Sequence, residues 1–162
     1  MNKKGNVFDV IDGTLGIALG AFIVIIAAVV LYHFNDGFQS HSEVPTEAKD
    51  FMSKYSVNYV KYMDWLVLAL LTANLVFSVI SAHHINTKPI FLIVGFLFLL
   101  IFCIAAVVIN NVYYGFSEQA YIIPVLNQMV FTPVLLQNWL IVVLTYGGFV
   151  MVSLYGKGFI NR

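Results

Sequence analysis

The residues best able to do chemistry in this 162-residue chain are few. His83 and His84 form its one adjacent histidine pair. Neighbouring positions on a helix point about 100° apart, so the two rings would not both address one ion; they read as interfacial imidazoles near a helix end. His33 and His41 offer still less. Cys103, the single cysteine, lies between Phe102 and Ile104 in an apolar run. A thiol there packs as a small hydrophobe, and a lone cysteine forms no intramolecular disulfide. Glu43, Glu47 and Asp50 share a helix face that is more simply solvated than cation-binding. There is no Gly-x-Ser-x-Gly elbow, and no strand pattern leads into a glycine-rich phosphate loop. The sequence therefore predicts no catalytic residue, no metal site and no cofactor.

Three other patterns carry physical content. Asn74, Ser78 and Ser81 recur at spacings of four and three, a polar stripe on an otherwise apolar helix. Such groups form interhelical hydrogen bonds or, less simply, line a narrow aqueous path. Gly16 and Gly20 stand four apart and, with Ala27 nearby, allow another backbone to approach closely. Phe51, Tyr55, Tyr59 and Tyr62, at spacings of four, four and three, make an aromatic stripe suited to a protein contact or to lipid headgroups.

The elements that hold these residues follow from where charge is missing. Runs 13–35, 65–87, 89–117 and 119–156 contain no Asp, Glu, Lys or Arg and make up more than two thirds of the chain. Apolar residues make up 60% of the whole and charged residues 10%. A helical crossing of a bilayer needs about 20 apolar residues and excludes ionised side chains. The predicted class is all-α: one domain over 1–162, a polytopic membrane protein with crossings at about 15–34, 65–82, 90–109 and 134–155. Residues 35–64 and 110–133 form the outer segments. With eight acidic and eight basic residues the net charge is zero, which gives no basic surface for nucleic acid.

Local signals set the expected boundaries. Lys3 and Lys4 precede an apolar stretch too long for a secretory leader and without a small-x-small cleavage pattern, so the first crossing is expected to be uncleaved. Asp12 and Thr14 suit its N-terminus, and Asn35-Asp36-Gly37 its end. Pro45 reads as the start of a second helix with Glu47 in its first turn, unbroken to residue 82 and projecting well beyond the membrane. The tight turn 83–88 and Pro89 predict that helices two and three are antiparallel neighbours, with Asn110-Asn111 closing the third. Pro124 and Pro133 enclose too few residues for a crossing, so 117–132 reads as a broken interfacial or re-entrant segment. Thr132-Pro133 is then the expected cap of a fourth helix, with Gly147-Gly148 bending it or admitting a neighbour.

Lysines and arginines orient the chain. Lys3, Lys4, Lys88, Lys157 and Arg162 fall on one side and Lys49, Lys54 and Lys61 on the other, which places both termini on the cytoplasmic or interior side of a bacterial-type inner membrane or virion membrane. In type only, the chain resembles small subunits of secretion and respiratory complexes, membrane proteins of lipid-containing bacteriophage particles, and some holins. None of these supplies a motif that transfers a functional residue. The expected function is a non-enzymatic structural subunit of a membrane-embedded assembly, with a virion membrane protein as the favoured case. Its expected partners are the lipid bilayer and other membrane or peripheral subunits, in a homo- or hetero-oligomer. A holin-type pore using the Asn74 stripe, an accessory subunit, and last a haem or membrane enzyme using His33 or His83 are the alternatives.

Overall fold

A computed structural model describes residues 7–84 and 90–156 of the chain. The elements are α1 (Val7–Ser40), α2 (Thr46–His84), α3 (Ile90–Ser117), α4 (Ile123–Leu126), α5 (Thr132–Gln137) and α6 (Trp139–Tyr155). Three helices are long and apolar enough to cross a membrane, over Leu15–Ser40, Thr46–Ala82 and Ile93–Ser117, which is compatible with an integral membrane protein. The fourth apolar helix, α6, is shorter at 17 residues. The 39 residues of α2 reach about 58 Å at about 1.5 Å per residue, against roughly 30 Å of hydrocarbon.

Several predicted boundaries move. Helix α1 already includes Asp12 and Thr14 and passes through Asn35-Asp36-Gly37 to Ser40. The local stop is overridden in two ways: within α1 the Gln39 amide donates to the Asn35 side chain one turn back, and across the hairpin it donates to the Lys49 carbonyl at 2.8 Å while Lys49 Nζ donates to the Gln39 carbonyl at 2.8 Å. That reciprocal pair staples the end of α1 to the start of α2, and the lysine also suits the negative end of the α1 dipole. Pro45 stands just before α2, where its carbonyl accepts the Lys49 N–H. Helix α3 likewise runs past Asn110-Asn111 to Ser117. The predicted crossing at 134–155 is divided at Asn138, where φ is −113° and ψ 28°, into α5 and α6.

Helices α1 and α2 form an antiparallel hairpin, α6 packs alongside α2, and α3 packs on α6 rather than chiefly on α2. The expectation that helices two and three are immediate neighbours is therefore corrected, because α6 takes the groove between them. The reason is visible at Gly147: a Cβ there would collide with the Leu99 methyl, so the bare backbone of α6 lets α3 come close. Pro89 and residues 85–88 lie outside the described residues.

Each helix buries one row at helical spacing: Ala18, Ala21, Ile25 and Ala28 on α1, Val60, Asp64, Val67, Ser78 and Ala82 on α2, and Trp139, Val143, Tyr146, Val150 and Leu154 on α6. On α3 the row is Leu99, Phe102, Ala106, Ile109, Tyr113 and Phe116, whose outer end meets Phe22 of α1 edge to face. The remaining helix surfaces carry large exposed side chains such as Ile23, Val30, Phe96 and Ile104. Water would not tolerate so continuous an apolar coat; lipid or other protein does.

Candidate functional site

The chain's most constrained chemistry lies where 119–138 folds back over the outer end of the bundle. Pro124 and Pro133 each fall in the first turn of a short helix. Between α4 and α5 the N–H groups of Val130, Phe131 and Thr132 have left the ladder of α4. All three converge on Asp64: Val130 and Phe131 donate to Oδ2 at 2.7 and 2.9 Å, and Thr132 donates to Oδ1 at 2.6 Å. Asp64 is only 3% exposed, in register with Val60 and Val67 on the buried row of α2. Hydrogen bonds to an ionised acceptor are among the strongest in proteins, and a buried carboxylate is stable only when its lone pairs are met in this way. Beside it the Phe131 ring sits edge-on to Trp65, with centroids 4.6 Å apart.

Two further helices grip the same segment. On α3, Asn110 donates through Nδ2 to the Gln137 carbonyl at 3.0 Å and accepts the Trp139 N–H at 3.1 Å, so one amide spans the break at Asn138. On α1, His33 Nε2 donates to the Tyr121 carbonyl at 3.0 Å. Tyr114 of α3 also accepts from Gln137 Nε2 at 3.3 Å, so α1, α2 and α3 all contribute side chains to a clasp. The predicted cap Thr132 does not cap: Phe131 occupies the cap position, Asp64 supplies the acceptor, and the buried Thr132 hydroxyl has no partner among the described residues.

Sequence reading missed Asp64 and Asn110. Composition places Asp64 only at the edge of the charge-free run 65–87, and Asn110-Asn111 reads as a helix stop. The available signal was register: Asp64 follows Val60 by four and precedes Val67 by three, the spacing of a buried face.

A second polar set lies deeper, between α2 and α6. Ser78 and Tyr146 share a hydroxyl hydrogen bond, Tyr146 donates on to the Asn74 carbonyl at 3.1 Å, and Ser153 donates to the Val79 carbonyl at 2.9 Å. Of the predicted stripe, Ser78 is buried against α6, Asn74 is half-buried with its Nδ2 unpartnered among the described residues, and Ser81 is exposed. At Gly16 and Gly20 an added Cβ would meet nothing, so among the described residues no helix uses that close-approach face. The opposite side of α1, lined by small alanines, does the internal packing.

The aromatic stripe stands on the projecting hairpin. Phe51 and Tyr55 stack at 6.3 Å and Tyr55 and Tyr59 contact at 6.1 Å; Tyr59 is half-buried, while Phe51, Tyr55 and Tyr62 are exposed. Among the described residues no group of three His, Cys, Asp or Glu gathers to hold a metal ion. The His83 and His84 side chains, and Lys3, Lys4, Lys88, Lys157 and Arg162, lie outside what the structure describes.

No protein-family model, curated protein or solved structure matches the chain.

Proposed function

We propose that the chain is a non-enzymatic structural subunit of a larger membrane-embedded assembly, with four crossings and both termini on the cytoplasmic or interior side. The favoured concrete case is a membrane protein of a lipid-containing virus particle. One observation carries the reading: at crossing depth, the hydroxyls of Ser78, Tyr146 and Ser153 are turned into the seam between α2 and α6 and bonded there. A pore or an ion-coupled transporter needs polar groups presented to a lumen or a substrate. Here those three hydroxyls hold two helices together, and the outward surfaces left over are mainly apolar, with Thr72 bonded back to its own helix, Ser81 exposed and Gly16 and Gly20 bare. Those surfaces suit lipid and neighbouring subunits, and the hairpin bearing Phe51, Tyr55 and Tyr62 reaches towards whatever lies outside the membrane.

Reconstitution tests it. Liposomes carrying the pure protein should retain an entrapped dye, and mild-detergent extracts of the native membrane should contain the chain in a particle larger than the monomer. Strong leakage abolished by Asn74→Leu would transfer the case to a holin-type pore. A monomer throughout would remove the assembly reading.

A further inference from the structure

Backbone N–H groups at a chain break normally turn to water, and a solvent-bathed loop has no need to withdraw a side chain to meet them. At Val130, Phe131 and Thr132 the chain instead commits the carboxylate of Asp64, an ionised group that is costly to take out of water, and buries it against those donors. Such an arrangement makes sense where water is scarce and an unpaired N–H is most expensive, which is the condition at the edge of a bilayer.

The outward side of the same turn is apolar. Val130 is 66% exposed, Val134 57% and the adjoining Trp65 59%. Lys61 stands one helical turn further out on α2, Tyr62 beside it is 71% exposed, and no charge occurs again in the turn or in α6. An indole with a phenol and a lysine about one turn above it is an arrangement that anchors proteins at the lipid headgroup boundary. Further along the chain, Ile141 and Leu144 of α6 are exposed as well.

We propose that the 130–134 edge, flanked by Trp65, is seated in the headgroup and acyl-chain boundary of the outer leaflet with phospholipid as its occupant. Asp64 is the positioning residue that allows irregular backbone to lie at that depth. The proposal rests on the membrane-spanning reading of α1, α2 and α3, and its test separates the two. Nitroxides are introduced through Val130→Cys, Val134→Cys, Phe51→Cys and Ile104→Cys in a Cys103→Ser background, and the full chain is reconstituted in vesicles of phosphatidylcholine and phosphatidylglycerol. Collision rates with oxygen and with a neutral, water-soluble nickel chelate report depth.

Labels at 130 and 134 should show an oxygen-to-nickel ratio several-fold above that at 51 and below that at 104. Adding Asp64→Ala should lower the ratio at 130 towards that at 51 as the turn opens. If 130 and 134 match 51 while 104 remains oxygen-rich, the bilayer reading stands and the seating in lipid is overturned. Shielding of 130 and 134 from both reagents would mean protein covers the edge and would equally overturn it. A nickel-accessible 104 would overturn both readings, and an unchanged ratio in the Asp64→Ala protein would remove the positioning role.

Discussion

Two regions of the molecule are held by opposite means. Around Asp64 three backbone donors from a break in the chain meet one buried carboxylate, whereas along α3 and α6 the contact is one of shape, Leu99 lying over Gly147 and Met151 over Gly95. The difference follows from backbone regularity. A continuous helix satisfies its own N–H and C=O groups, so its neighbours need only fit, and small residues set how close they come. A broken segment carries donors that something else must satisfy, and this chain places an acid on a facing helix for that purpose. A carboxylate buried on a helix face can thus serve the backbone of a broken segment packed against it.

The largest effect should come from breaking the first of these. Asp64→Ala leaves three N–H groups without their acceptor, that of Thr132 buried and those of Val130 and Phe131 partly so, and the expected destabilisation is about 2 to 3 kcal/mol. Thermal unfolding in detergent micelles would read it, with new protease sensitivity confined to 119–138. Asp64→Asn keeps one carbonyl acceptor and should fall between the two. A variant lacking the carboxylate that melts with the wild type would show that the segment is held by packing alone.

The shape-based seam gives the next effect. Gly147→Ala forces its new methyl into Leu99, and overpacking of this kind costs about 1 to 3 kcal/mol. Because the clash is with one side chain, Leu99→Ala should recover much of the loss in the double variant, a coupling visible in a double-mutant cycle. The neighbouring Gly148→Ala, where nothing lies within 4 Å, is the matched control and should be close to neutral.

A smaller effect is expected between the two extremes, where the α2 and α6 seam combines fit with hydroxyl bonds. Tyr146→Phe removes the phenol that Ser78 and the Asn74 carbonyl share, at an expected loss of about 1 kcal/mol, typical of interhelical hydrogen bonds in membranes. Ser78→Ala in the Tyr146→Phe background should add little if the two hydroxyls act as one unit. Full additivity would place them in separate interactions.

What the sequence revealed follows the same division. Charge exclusion located the three long apolar helices, because lipid compatibility is written in composition over many residues. Local stop signals were less informative: Asn35-Asp36-Gly37 and Asn110-Asn111 lie inside helices, Asn35 accepting from Gln39 one turn along α1, itself tied to Lys49 of α2, and Asn110 bonding across the break at Asn138. The aromatic row of α2 was legible but is not its buried row. Phe51, Tyr55, Tyr59 and Tyr62 run one residue out of step with Ser56, Val60 and Asp64, the row that faces the bundle. Hydrophobicity alone selects the aromatic face; in a membrane hairpin the inner face is the one with small and polar groups, because lipid accepts the large apolar ones. The clasp could not be read from spacing, since its donors lie more than sixty residues from Asp64.

The smallest intramolecular effect should come from α1, where the comparison can be extended beyond the single chain. Gly16 and Gly20 lie on the side of α1 away from Ala18, Ala21 and Ile25, and an added Cβ meets no atom of the described residues. Gly16→Leu with Gly20→Leu should therefore cost the isolated monomer no stability, since nothing is displaced and leucine favours a helix more than glycine does. The same pair blocks a second backbone from approaching, so the particle recovered by mild detergent should shrink in native mass spectrometry. Loss of the larger particle with unchanged monomer stability would locate a subunit contact on this face and bring it under the shape rule of Gly147. An unaltered particle would assign the face to lipid, leaving the projecting hairpin as the remaining surface through which an assembly could form.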